Sequence, residues 1–165
     1  MCIYLYNTLT ILNIRMPLKE DLKSSDFARR IVLHIDDDQD DRHLVNKAIN
    51  SIDPAIIIRE ATDGRKALEF LHQARLFGDL PCLIILDINM PVMDVYETYK
   101  EIMKDATLSI IPIVVFTTSC SENDVLQWRR ENIVMLTKPS TYAGFADTVR
   151  KMLDYCSPTN KQKSS

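Results

Sequence analysis

Five short apolar runs recur along the chain: Ile31–Ile35, Ala55–Ile58, Leu83–Leu86, Ile113–Phe116 and Ile133–Leu136. An unbroken run of this length suits a strand covered on both faces, whose alternating side chains enter two buried layers. Between the runs the spacing changes to threes and fours. Leu44, Val45, Ala48, Ile49 and Ile52 form one stripe over Asp41–Ile52, and Ala67, Leu68, Phe70, Leu71 and Ala74 form a second. Tyr96, Tyr99, Ile102 and Met103 mark a third helix starting near Asp94. Val125 and Trp128 follow a Ser121 cap, and Phe145, Val149 and Met152 give the last helix. These are helical stripes with one apolar face each. Asp63-Gly64 closes the second strand, and Pro112 precedes the fourth. Strict alternation of strand and helix predicts an α/β fold, a (βα)5 doubly wound parallel five-stranded sheet with helices on both faces.

Four of the strands run into residues with usable chemistry. Ile35 leads into Asp36-Asp37-Asp38, Leu86 into Asp87, Phe116 into Thr117, and Leu136 through Thr137 to Lys138-Pro139. Open parallel sheets bind ligands outside the carboxyl ends of their strands. The topology therefore predicts that several carboxylates, one hydroxyl and one ammonium meet at one edge. Crowded carboxylates repel, and each holds its proton more tightly unless a cation intervenes. A hard divalent cation with oxygen ligands resolves that repulsion, and Mg²⁺ suits a site that keeps waters and meets a phosphate.

Composition narrows the partners. An apolar fraction of 46% and a charged fraction of 26% are ordinary for a globular domain. A net charge of −3 argues against a nucleic-acid surface. The glycines are Gly64, Gly78 and Gly144, and none falls in a GxGxxG or GxxxxGK[ST] pattern. That removes the dinucleotide-fold and P-loop readings, so a metal, a lysine and isolated donors must hold any phosphate. Cys2, Cys82, Cys120 and Cys156 form no CxxC pair and no zinc spacing, and are expected to be free thiols in a reducing compartment. Residues 1–15 are apolar but lack the basic start and small-residue cleavage site of a signal peptide. Asn7, Thr8, Thr10 and Asn13 interrupt them too often for a membrane span. We read residues 1–29 as an N-terminal extension, ordered only in part, with Met16 as an alternative start. Residues 30–156 are the domain, and the polar residues 157–165 a disordered tail. A cytoplasmic location without membrane contact follows as an expectation.

The motifs IVLHIDDD (31–38), LDINMPVMD (86–94), FTTS (116–119) and TKP (137–139) stand in order at strand ends. From about Arg30 to Tyr155 the chain resembles the response-regulator receiver domain, which has a flavodoxin-like fold. The resemblance implies that Asp87 is the phosphoacceptor. It implies that Asp37 binds Mg²⁺ directly, that Asp36 helps hold it, and that Asn89 gives it a backbone carbonyl. Thr117 matches the hydroxyl that senses the phosphoryl group, and Lys138 the lysine that pairs with a phosphoryl oxygen. The peptide bond before Pro139 is commonly cis in this family. The implied partner is a sensor histidine kinase or histidine phosphotransfer protein. The implied output is contact with a downstream protein, without a DNA-binding output domain. The implied activity is weak intrinsic autophosphorylation and autodephosphorylation rather than metabolic catalysis. Two positions depart from the pattern. Val95 stands where glycine is usual, which predicts a rebuilt turn because a β-branched residue disfavours positive φ. Met135 stands where an aromatic is usual, which puts an aromatic switch in doubt.

Other readings stay beside these. The alternative function is a phosphorylation-independent, receiver-like scaffold, against which the full set Asp36, Asp37, Asp87, Thr117 and Lys138 argues. A haloacid-dehalogenase-type phosphatase needs a second acid two residues after its nucleophile, where this chain has Asn89. Asp38 is expected to be an exposed loop carboxylate, and Asp40 and Asp41 to be first-turn acids of a helix. His34 reads as a packed core residue, His43 and His72 as solvent-facing, and Trp128 as helix packing.

Overall fold

The computed structural model describes residues 29–90 and 95–156, so the expected extension, the tail, and Asp94 with the turn before Val95 lie outside the described residues. The elements are β1 (Ile31–Ile35), α1 (Gln39–Ile52), β2 (Ile57–Ala61), α2 (Gly64–Phe77), β3 (Leu83–Leu86), α3 (Val95–Lys104), β4 (Ile113–Thr117), α4 (Glu122–Arg130), β5 (Val134–Thr137) and α5 (Tyr142–Leu153). A short 3-10 turn, Asp154–Cys156, follows α5. All strand pairs are parallel, in the order β2-β1-β3-β4-β5. The chain first winds outward from β1 to β2, then returns across β1 to β3. The direction of winding therefore reverses between β1 and β3, which is where this architecture opens a crevice.

Two apolar layers sandwich the sheet. On one face Leu33, Ile35, Ile84, Leu86 and Val115 pack with Leu71, Tyr99, Ile102 and Trp128 from α2, α3 and α4. On the other, Val32, Ile85, Val114 and Phe116 pack with Val45, Ile49, Phe145, Val149 and Met152 from α1 and α5. The alternation of strand residues between the two layers explains why β1, β3 and β4 are buried along their whole length and almost entirely apolar, with His34 of β1 and Thr117 at the end of β4 the polar residues.

β2 differs from expectation. It begins at Ile57 and runs to Ala61 instead of covering Ala55–Ile58. The Asp53 side chain accepts from Ala55 N at 3.0 Å and holds that residue in a turn, while Ile57 N starts the ladder by donating to Arg30 O at 2.9 Å. β2 is an edge strand with Arg59 and Glu60 exposed, so its apolar signature is interrupted and the apolar run Ala55–Ile58 overlaps it only in part. α1 starts earlier than expected because Asp38 caps it, accepting from Asp40 N and Asp41 N. Ser121 caps α4 as expected, in a reciprocal capping box with Asp124. Val95 opens α3 and is buried, and it is not in the left-handed region, where Asn132 is the one non-glycine residue among those described. A helix start tolerates valine without a positive φ.

Two further expectations fail. Cys82 and Cys156 are joined as a disulfide rather than free, because the turn after α5 brings Cys156 against the start of β3. Cys120 is free and exposed. No cis peptide bond occurs among the described residues, so the Lys138–Pro139 bond is trans. Trans is the lower-energy form even before proline.

Candidate functional site

Hydrogen bonds that continue the sheet past the strand ends fix the site. Asp36 N donates to Ala61 O at 3.0 Å, Asp87 N to Ile35 O at 3.0 Å, and Lys138 N to Thr117 O at 2.8 Å. The residues just after β1, β3 and β5 are thus held by backbone bonds to neighbouring strands, at the edge where the winding reverses.

Asp36 is fully buried and Asp87 is 5% exposed, whereas Asp37 points to solvent. One carboxylate oxygen from each lies within 4.8 Å of the others. Lys138 is 9% exposed and supplies the cation of the cluster. Its Nζ donates to Asp36 Oδ2 and to Asp41 Oδ2, both at 2.7 Å, and stands 3.5 Å from Asp87 Oδ1. The second oxygen of Asp36 accepts from Asp38 N at 2.9 Å, and its carbonyl accepts from Arg42 at 2.7 Å. Asp87 Oδ2 accepts weakly from Asn89 N at 3.3 Å, and Asp87 Oδ1 is buried with no hydrogen-bond partner. Thr117 ends β4, is 1% exposed, and donates its hydroxyl to Ser119 O at 3.0 Å while accepting from Asn89 Nδ2 at 3.3 Å.

The protonation of the two acids diverges for identifiable reasons. Burial raises Asp87, the nearby Asp36 charge adds to the rise, and the Lys138 charge only partly offsets them. Burial also acts upward on Asp36, but hydrogen bonds from His34 and Lys138 outweigh it and hold that carboxyl below the usual range. The His34 contact is long, 3.5 Å, and leaves both ring nitrogens without a proper partner, so the 2.7 Å Lys138 contact is the stronger of the two. Burial lowers Lys138, and its bonds to Asp36 and Asp41 reverse that and raise it. The cluster is therefore one ammonium bound tightly by Asp36 and Asp41, with Asp87 left comparatively unsatisfied.

Asp36, Asp37, Asp87, Thr117 and Lys138 come together at one sheet edge, and Asn89 joins them through its backbone N–H and its side chain. Sequence reasoning missed Asp41. It sits in the first turn of α1, as expected for a solvated acid, but reaches back to Lys138. No spacing along the chain signals that pairing. His34 is fully buried in β1, and His43 and His72 are exposed, as expected. Met135 is half-buried in the edge strand and lines a shallow cavity with Val125, Trp128 and Ile133.

Comparison with known proteins agrees with this architecture. The family model for the response regulator receiver domain matches residues 32–150. Response regulator Rcp1 of Synechocystis is 37% identical over 101 residues, covering 59% of this chain and 67% of Rcp1. The crystal structure of the phosphorylated cyanobacterial phytochrome response regulator RcpA superposes with a TM-score of 0.72 at 26% identity, covering 82% of this chain and 99% of RcpA. The Mn²⁺-bound form of Rcp1 superposes with a TM-score of 0.66 at 29% identity, covering 76% of this chain and 92% of that structure. A flavodoxin-like sheet with acids, a hydroxyl and a lysine at its carboxyl edge defines a receiver. The chain belongs to the response regulator receiver domain family, whose members work in two-component signalling.

Proposed function

We propose that this receiver accepts a phosphoryl group on Asp87 from a phosphohistidine of a sensor histidine kinase or phosphotransfer protein. The observation that carries the reading is Asp87 Oδ1, a buried carboxylate oxygen with no hydrogen-bond partner, 3.5 Å from the Lys138 ammonium. A carboxylate so placed is a nucleophile with its counter-charge already in position. In the transfer, an Asp87 oxygen attacks phosphorus, the phosphorus–nitrogen bond breaks, and the imidazole leaves with the electron pair. Lys138 stabilises charge on the phosphoryl oxygens by its position alone. Positioning and charge are most of what phosphoryl transfer requires.

The donor set fits Mg²⁺. Asp36, Asp37 and Asp87 offer hard oxygen ligands within 4.8 Å of one another, one of them buried and unpartnered, and Asn89 would add its backbone carbonyl. When bound, Mg²⁺ supplies charge neutralisation and alignment for an in-line displacement. The solved structure of Rcp1 with Mn²⁺ and that of phosphorylated RcpA support both halves of the proposal by likeness.

Thr117 supplies the readout. Its hydroxyl now donates to Ser119 O, within the β4–α4 loop. A phosphoryl oxygen on Asp87 is a stronger, charged acceptor. Moving the bond to it would draw the loop 118–121 inward and bias α4, β5 and α5 between two arrangements. The signalling surface then comprises 122–130, Met135 and 142–149, and meets a downstream protein.

The test is labelling with acetyl phosphate and Mg²⁺, read by intact-protein mass spectrometry. One phosphoryl group is expected on the wild type and none on Asp87→Asn. Full labelling of Asp87→Asn would falsify the assignment, and an unlabelled wild type would favour the scaffold reading.

A further inference from the structure

At the edge of the sheet opposite Asp87 lies a second pair of reactive groups. Cys82 immediately precedes β3, and Cys156 closes the 3-10 turn after α5. They are 74 residues apart in sequence, yet their Cα atoms are 4.8 Å apart and their sulfurs are bonded. β3 separates this pair from Asp87 by five residues, about 16 Å at strand rise.

The two partners differ in how firmly they are held. Cys82 is fastened to the sheet: its N–H donates to Ile31 O at 2.8 Å and its sulfur lies 3.2 Å from the same oxygen. Cys156 is buried, but it sits on a single 3-10 turn, an element with poor hydrogen-bond geometry. The fully buried anchors of α5, Phe145, Val149 and Met152, all lie before that turn, which adds the half-buried Tyr155 and Cys156 itself to the same apolar layer. Both cysteines also pack against the apolar layer shared by α1 and α5. As thiols they would serve there as small apolar side chains. Reduction would thus leave two small apolar side chains in an apolar layer.

We propose that Cys82 and Cys156 are a reversible thiol–disulfide site, which ties the end of α5 to the sheet when oxidised and frees the 154–156 turn when reduced. The co-reactant is a small-molecule disulfide of the glutathione class. One cysteine thiolate attacks it, forming a mixed disulfide and releasing one small thiol. The second cysteine thiolate attacks the mixed disulfide at the protein sulfur and releases the other. The two protein thiols give up two protons and two electrons, and the small disulfide takes them up as two thiols. Opening of the turn exposes Cys156 for the reverse reaction, a local rather than a global event.

The experiment equilibrates the full chain across a series of reduced-to-oxidised glutathione ratios, quenches with acid, alkylates, and maps each cysteine by mass spectrometry. Cys82 and Cys156 are expected to become protected together in one two-electron transition, linked to each other, while Cys120 follows its own course. Amide exchange on the same samples should run at least about tenfold faster at 154–156 in the reduced form, with β3 unchanged. Cys156→Ala should abolish the transition. Should that variant fail to fold, Cys82→Ala and the wild-type comparison carry the test. Alkylation of Cys82 and Cys156 in parallel with Cys120 across the series would overturn the proposal. So would a bond that opens only on global unfolding, or exchange at 154–156 that is the same in both forms.

Discussion

Lys138 is the residue on which the site turns. Its ammonium is nearly buried and holds Asp36 and Asp41 at 2.7 Å, with Asp87 close by. Lys138→Met keeps the volume and removes the charge, leaving buried carboxylates without a counter-ion. Removing one partner of a buried ion pair costs about 3–5 kcal/mol. Urea unfolding without divalent cations should show a loss of that order. Adding Mg²⁺ should restore more stability to the variant than it gives the wild type. A loss below about 1 kcal/mol would mean that the acids find other partners. Tyr99 offers a test of pH response away from the site. Burial, then its bond to Glu131 at 3.0 Å, pushes its phenol up to about 12 from 10.0. The raised value belongs to the folded state, so the neutral phenol's contribution to stability is whole below pH 10.0 and is lost as pH rises towards about 12. A phenolate absorbance titration should show one late-titrating tyrosine that Tyr99→Phe removes. An unchanged late titration in that variant would assign the shift elsewhere.

Among the elements, α3 and α4 are joined by an aromatic clamp. Trp128 is fully buried, stacks on Tyr96 with ring centroids 4.6 Å apart, and meets the edge of Tyr99 at 5.3 Å. Such pairs add about 0.5–1.5 kcal/mol each beyond the area they bury. The tyrosine hydroxyls reach Asp124 and Glu131 of the α4 segment. α4 otherwise buries little, with Val125 and Leu126 exposed, so Trp128, held by the two tyrosines and lying beside Met135 of β5, is its anchor in the core. A shift of the Thr117–Ser121 loop, which leads directly into α4, is expected to be felt at Trp128. Trp128 is the chain's single tryptophan, which makes it a natural reporter. Beryllofluoride, a phosphoryl mimic, should change Trp128 fluorescence and alter amide exchange between Thr117 and Val149. Changes confined to α2, with nothing in that region, would reject the proposed route.

For the whole molecule, a cation bound where the acids converge should add stability, above all by relieving Asp87. Asp36, Asp37 and Asp87 converge only in the native state, so the proposed Mg²⁺ binding there would raise stability by mass action. Millimolar Mg²⁺ is expected to raise the melting temperature. Asp37→Ala should remove that response without harming the fold, since Asp37 is exposed and makes no part of the core. A wild-type melting curve indifferent to Mg²⁺ would count against the metal assignment.

The sequence by itself determined the sheet, its helices, and which strand ends carry chemistry. A strand covered on both faces is mostly apolar, as β1, β3 and β4 are apart from His34 inside β1, so Asp36, Asp87 and Thr117 stood out where each apolar run ends. The edge strand β2 was displaced because a half-exposed strand loses that signature. Three things were decided only by the tertiary structure. Asp41 binds Lys138 because α1 packs its first turn over the β5 end, 97 residues away in sequence. Cys82 and Cys156 meet because α5 runs back across the sheet, and no local spacing encodes a contact over 74 residues. Asp87 is left unsatisfied while Asp36 is not because Nζ of Lys138 lies 2.7 Å from one and 3.5 Å from the other. Hydrophobic periodicity is a local property and survives in one dimension. The sharing of a single ammonium among three acids is set by distances that exist only once the chain has closed on itself.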